Sequence, residues 1–310
     1  MTHRRAVLTM ILVTLMWSIA GVVTRQLDAA RSFEITFWRS FFTVAALLPM
    51  LAWWRGPKAL AQSIRDGGKT LWLSGVCWAV MFTAFMVALT LTAVANVLVT
   101  MAISPLLTAL IARFAIGHRL APRTWAAIAV AGFGIAWMYA REFIGADARH
   151  LLGTAVAFCV PVAAAINWTL LQHSRDAARL DMLPAVLIGA ALSALFTLPW
   201  ALPFAASAGD LRLLALLGVV QLAIPCLMSV AVSRYLSAPE AALLALLEVV
   251  FGVAWAWWGA SESPAPHVLI GGGLVLAALA GNEAIAMRGK TKQSTIKPDP
   301  RYIRSGGSGS

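Results

Sequence analysis

The sequence predicts an all-α membrane protein: ten transmembrane helices arranged as two inverted five-helix repeats, with both termini cytoplasmic. Three observations carry this expectation. Of 310 residues, 60% are hydrophobic and 12% charged, whereas soluble domains run about 45–50% apolar and about 25% charged. A chain of this length has no core large enough to bury so much apolar surface without lipid. The apolar residues gather in runs of membrane-spanning length, and the Lys and Arg residues between the runs fall unequally on the two sides.

A helix needs about 20 apolar residues to cross the hydrocarbon. His3, Arg4 and Arg5 ahead of an apolar stretch resemble a secretory signal. However, Ala6–Thr24 is uncharged, long enough to span, and followed by no small-x-small cleavage site, so it reads as the first span. The second is Glu34–Trp54, interrupted by Arg39. Thr70 to Ala112 contains no charged residue and is too long for one crossing. It must hold the third and fourth spans, with a tight turn near Leu91–Val94. The remaining spans are Thr124–Ala140, Leu151–Gln172, Leu183–Phe204, Leu213–Ser233, Glu240–Trp258 and His267–Met287. Ser305–Ser310 (SGGSGS) reads as an engineered linker with no part in the fold.

The net charge of +11 does not point to nucleic acid, because the basic residues lie in loops and form no single patch. With the N-terminus cytoplasmic, 18 Lys and Arg residues fall on the inner side and 5 on the outer, with Arg39 inside the second span. This is the asymmetry of the positive-inside rule, and it offers a surface to anionic headgroups. Trp53, Trp54, Trp72, Trp125, Trp200, Trp257 and Trp258 fall near span ends, at headgroup level. Trp17 and Trp78 sit near mid-span. Cys77, Cys159 and Cys226 are scattered through apolar runs, which argues against disulfides and a metal cluster. No metal or cofactor is expected.

Shifting the chain by 143 positions lays Ala93–Leu120 on Leu236–Ser263. Asn96 meets Pro239, Pro105 meets Glu248 and Arg119 meets Glu262. The shared pattern is a small-residue entry, a long apolar run, a Gly or Ala with polar residues, and a further apolar helix. It predicts one repeat over residues 1–145, a second over 146–288 and a cytoplasmic tail over 289–310. Five spans are an odd number, so the halves must be oppositely oriented, a carrier architecture whose substrate site lies near midplane.

On these residues the chain resembles the drug/metabolite transporter superfamily, EamA type, over residues 6–287. The resemblance is carried by Phe37–Ser40 (FWRS) in the second span, by Ser104–Leu120 (SPLLTALIARFAIGHRL) in the fourth, and by Leu246–Ser263 (LLEVVFGVAWAWWGASES) in the second half. His118 stands where the family's first turn carries Glu, and Val249 where the second repeat often carries proline. Within the superfamily the chain looks closest to the YddG-type amino-acid exporters. The resemblance implies a bacterial-type inner-membrane carrier that exports small metabolites, amino acids foremost, by alternating access through a central cavity. The lipid bilayer and a small-molecule substrate are the partners it implies, and nucleic acid is not among them. Efflux of lipophilic or quaternary cations is the alternative.

Several residues suit such a cavity. Asn96, Thr100, Ser104 and Thr108 recur every four residues and form one polar stripe on the fourth span. Either the stripe lines a cavity, or its hydroxyls bond their own backbone and pack helix on helix. The matching stripe in the ninth span is Pro239, Leu243, Leu247 and Phe251, so the halves do not bind substrate symmetrically. Glu248 is the one carboxylate near the centre of a span. Holding a charge there costs ~2.5–3.5 kcal/mol on insertion scales. Glu248 is therefore read as a proton site, a counter-charge for a substrate ammonium, or a structural hydrogen-bonding group.

Arg39 is read as the partner of a substrate carboxylate, as snorkelling, or as paired with Glu34. Trp17 with Ser18, and Trp78 with Phe82, form either packing or aromatic cavity walls. Asn167, Trp168 and Gln221 are the candidates in the second half. Pro105, Pro161 and Pro225 interrupt their spans and suit elements that bend during gating. An enzyme is disfavoured: the sequence holds no HExxH, GxSxG or Walker loop, and its five histidines lie at no metal-ligand spacing.

Overall fold

The structure is a computed structural model. It describes residues 1–30, 32–92, 94–117, 122–139, 148–176 and 181–259, and single positions 266, 270, 271, 273, 274, 277, 278, 281 and 285. More than half of the tenth predicted span, His267–Met287, lies outside the described residues, and so do His118, Arg119, Glu262 and the tail. The described residues are all-helical outside turns, and seven helical stretches, three of them interrupted, are long and apolar enough to cross a membrane.

The first predicted span is two helices, α1 (His3–Trp17) and α2 (Ala20–Thr24). The Thr2 side chain caps α1 by accepting from the Arg5 amide. α3 (Ser32–Arg55) is the second span and tolerates Pro49 in its interior. α4 (Pro57–Asp66) was not expected. It lies between Gly56 and Gly68, whose φ angles of 84° and 58° let the chain turn twice in a region other residues avoid. α4 turns Leu60 inward and leaves Lys58 and Arg65 exposed, as an amphipathic helix lying along a membrane surface does.

α5 (Gly68–Leu91) ends where the uncharged 43-residue stretch was expected to turn. The fourth predicted span follows as α6 (Val94–Met101) and α7 (Ser104–Ile116), broken just before Pro105. α8 (Pro122–Tyr139) and α9 (Ala148–Asp176) come next, then α10 (Pro184–Ala201). The eighth predicted span starts as α11 (Ala208–Leu216), widens into a π-helical segment over Leu217–Ala223, and resumes as α12 (Ile224–Val232). The amide that Pro225 lacks falls directly after this widened stretch. The ninth is α13 (Ala238–Ala245) and α14 (Leu247–Gly259).

The two broken spans match in form. α6 and α13 are 8 residues each, and α7 and α14 are 13 residues each. These pairs start 144 and 143 positions apart, close to the shift found in the sequence.

Helices approach closely where side chains are small. A Cβ on Gly189 of α10 would stand 2.3 Å from the Trp78 Cβ and 2.9 Å from the Gly75 carbonyl oxygen of α5. A Cβ on Gly218 would stand 2.6 Å from the Phe42 Cβ and 2.7 Å from the Arg39 carbonyl oxygen, so the π segment lies directly on α3. Buried apolar residues form two clusters. One holds Met10, Leu51, Leu71, Leu183 and Leu236, and the other Ala20, Met86, Leu89, Leu214 and Leu217. Met81 packs against both, and the cavity opens at that junction.

Candidate functional site

The cavity is about 100 Å³ and is bounded by α1, α3, α5, α6, α7, α9, the π segment, α12, α13 and α14. Its wall is largely aromatic and aliphatic. Trp17, Trp78, Phe82, Phe85 and Trp168 supply rings, and Met81, Met101, Leu98 and Val249 fill between them. Trp78 and Phe82 lie one turn apart on α5, with ring centroids 5.4 Å apart. The Trp78 indole nitrogen is buried and has no hydrogen-bond partner among the described residues.

Two residues of opposite charge type face this space. Arg39 lies about two turns into α3 and is 1% exposed. Its Nη2 donates to the Phe82 carbonyl oxygen at 2.8 Å, and its Nη1 to Gln221 Oε1 at 3.4 Å. Its Nε is buried with no partner among the described residues. The guanidinium lies 5.9 Å and 6.0 Å from the ring centroids of Phe82 and Phe85. Gln221 Nε2 donates in turn to the Trp17 carbonyl oxygen at 3.2 Å, at the end of α1 where helical bonding lapses. The Arg39 carbonyl oxygen and the Gly218 carbonyl oxygen both accept from the Thr43 hydroxyl, at 2.8 and 3.0 Å. These bonds fix the cation on three spans.

Glu248 occupies the first turn of α14, directly after the break, and is 6% exposed. An acidic side chain suits the positive end of a half-helix. Among the described residues its carboxylate forms no ion pair within 4 Å, with Arg39 or any other cation. Glu34 does not pair with Arg39 either. Its Oε1 accepts from the Ala205 and Ala206 amides at 2.9 and 2.8 Å, and Glu34 is not among the residues that line the cavity.

The structure brings together Trp17, Trp78, Phe82, Ser104, Asn167, Trp168, Gln221, Arg39, Glu248 and Pro161 on one wall. Asn167 Oδ1 accepts from the Ser74 hydroxyl at 2.6 Å, which orients the amide. Ser18 lies off the wall: its hydroxyl donates to the Leu15 carbonyl oxygen at 2.7 Å and accepts from Trp255 Nε1 at 3.0 Å. Thr100 is buried off the wall, and the Thr108 hydroxyl donates to the Ser104 carbonyl oxygen at 2.7 Å. The polar stripe of the fourth span therefore divides at the break: Ser104 faces the cavity, and Thr108 bonds its own helix. The Asn96 side chain lies outside the described residues. Pro105 and Pro225 stand at helix starts off the wall.

Phe85, Met81, Met101 and Cys226 also line the cavity and were not singled out from the sequence. A usable signal existed on α5, where Trp78, Met81, Phe82 and Phe85 follow the i, i+3, i+4, i+7 spacing of one helical face. Cys226 carried no such pattern.

A family model described as "EamA-like transporter family" matches the chain twice, over residues 4–140 and 151–282. A solved structure described only as "Crystal structure of protein" has the same fold, with a TM-score of 0.70. It is 19% identical to this chain and covers 93% of it, and the match takes in 100% of that chain. No curated protein matches.

Proposed function

We propose, from the premise that this chain belongs to the EamA-like transporter family, that it exports amino acids, apolar and aromatic ones included, by alternating access. The observation that carries this reading is that Arg39 and Glu248 line one aromatic cavity with no ion pair between them. An α-amino acid presents a carboxylate, an ammonium and a side chain. The Arg39 fork suits the carboxylate. Glu248 suits the ammonium, and Trp17, Trp78, Phe82 and Trp168 suit an apolar side chain. Asn167, Ser104 and Gln221 add neutral donors and acceptors. The narrower likeness to YddG-type exporters belongs to this reading, as does an inner-membrane location.

The same reading takes the chain as ten spans in two inverted halves, residues 1–145 and 146–288, with both termini cytoplasmic. The equal lengths of α6 with α13 and of α7 with α14 support two related halves. In this scheme the breaks at Met101–Ser104 and Ala245–Leu247 are where α6/α7 and α13/α14 flex, and Pro105, Pro161 and Pro225 ease the bending. Glu248 is the site through which a proton couples to transport.

The test is uptake of a labelled amino-acid panel into liposomes that hold only this protein. Saturable uptake of zwitterionic amino acids is the expected result. Uptake of quaternary cations with none of amino acids would replace this reading with drug efflux.

A further inference from the structure

We propose that Arg39 is the residue that sets the charge class of the substrate: it makes the cavity refuse cations that Glu248 and the tryptophans would otherwise bind. The inference rests on the reading of the cavity as a substrate site.

Among the described residues that line the cavity, Arg39 is the basic side chain and Glu248 the carboxylate. An arginine does not deprotonate in a protein. Glu248 is either ionised or protonated. Together these two side chains are neutral or positive in both states. A monovalent cation entering such a space meets the guanidinium at close range in a setting of low dielectric, where like charges repel strongly. A zwitterion meets no such barrier, because its carboxylate answers Arg39.

Without Arg39 the same cavity has the chemistry of a cation site. Glu248 is a buried carboxylate with no ion pair among the described residues. Trp17, Trp78 and Trp168 line the same cavity, and aromatic rings with one carboxylate are what a lipophilic cation requires. The position of Arg39 is also tightly held. The Phe82 carbonyl oxygen and Gln221 moor its two Nη atoms, and Gly218 lets the π segment close on α3 behind it. Swinging aside to admit a cation would cost this side chain both hydrogen bonds.

The experiment is equilibrium binding of tetraphenylphosphonium to purified protein in detergent, at one fixed pH for every variant. Its variants are Arg39→Gln, Arg39→Lys and Arg39→Gln/Glu248→Gln, with thermal unfolding recorded for each. Wild type and Arg39→Lys are expected to bind weakly. Arg39→Gln is expected to bind at least about tenfold more tightly, the effect of removing one like charge from an enclosed site. The double variant is expected to return to the weak level. Gln221→Glu is a second route, because it places a carboxylate against Arg39 Nη1 and neutralises the cation where it stands. This variant too should raise the affinity, and it serves if Arg39→Gln does not fold. Folded Arg39→Gln and Gln221→Glu proteins binding tetraphenylphosphonium no more tightly than wild type would overturn the proposal. Amino-acid uptake by wild type is scored separately. Its failure alongside a gain of tetraphenylphosphonium binding would remove the amino-acid reading and leave the charge filter in place.

Discussion

Arg39 Nη2 lies 2.8 Å from the Phe82 carbonyl oxygen, so a cation carried by α3 is anchored to the backbone of α5 at the cavity wall. A planar fork holds this bond and the one to Gln221 while Nε stays unpaired. An ammonium offers the charge without the fork. Arg39→Lys is expected to keep the fold and to raise the KM for amino-acid uptake about 10–100-fold, the loss of one charge-assisted hydrogen bond of ~1.5–3 kcal/mol. Initial-rate uptake in liposomes checks this.

Glu248→Gln keeps the size and hydrogen bonding of the side chain and removes its capacity to release a proton. Uptake by this variant is expected to lose its response to a pH gradient and, with the counter-charge for the ammonium gone, to show a raised KM. Full gradient sensitivity in the variant would place the coupling group elsewhere.

Asp210 clamps the two halves at one end of the bundle. Its carboxylate accepts from the amides of Asp28, Ala29 and Ser207, at 3.0, 3.2 and 3.0 Å, and it is 2% exposed. Glu34 makes the reciprocal contact, from the first half to Ala205 and Ala206. Asp210→Ala strips a buried acceptor from three donors and is expected to cost on the order of 3 kcal/mol. Glu34→Gln should cost less, since the amide oxygen still accepts. Denaturation in mixed micelles measures both.

The crossing of α5 and α10 gives a packing test. Gly189→Ala drives a Cβ into Trp78 and the Gly75 backbone and is expected to cost about 1–3 kcal/mol. Gly132→Ala in α8 meets nothing within 4 Å. It should be neutral, or stabilising by up to about 1 kcal/mol through helix propensity. Thermal unfolding of both variants decides it.

Much of the helical layout was legible because lipid imposes one rule, continuous apolar helix, that composition reveals directly. The break between α5 and α6 was readable for the same reason: the uncharged stretch was too long for one crossing. The breaks at Ser18–Ile19 and Leu246 were not readable, since no Gly or Pro marks them and the apolar pattern runs straight through. α4 was missed because an amphipathic surface helix carries Lys58, Arg65 and Asp66 and reads as loop. In the cavity, Glu248 and Arg39 stood out as charges in apolar runs. Their sharing of one wall was not legible, because it depends on Gly218 bringing the π segment onto α3 and on the start of α14 facing inward. Ser18 and Thr100 carry the right chemistry, but their helices turn them into packing.

The most direct measurement is uptake of zwitterionic amino acids into liposomes by wild type and Arg39→Gln side by side. Saturable uptake by wild type that is lost in a folded Arg39→Gln protein is the expected result. Equal uptake by both, or uptake of lipophilic cations by wild type with none of amino acids, would contradict the assignment of this cavity to an amino acid.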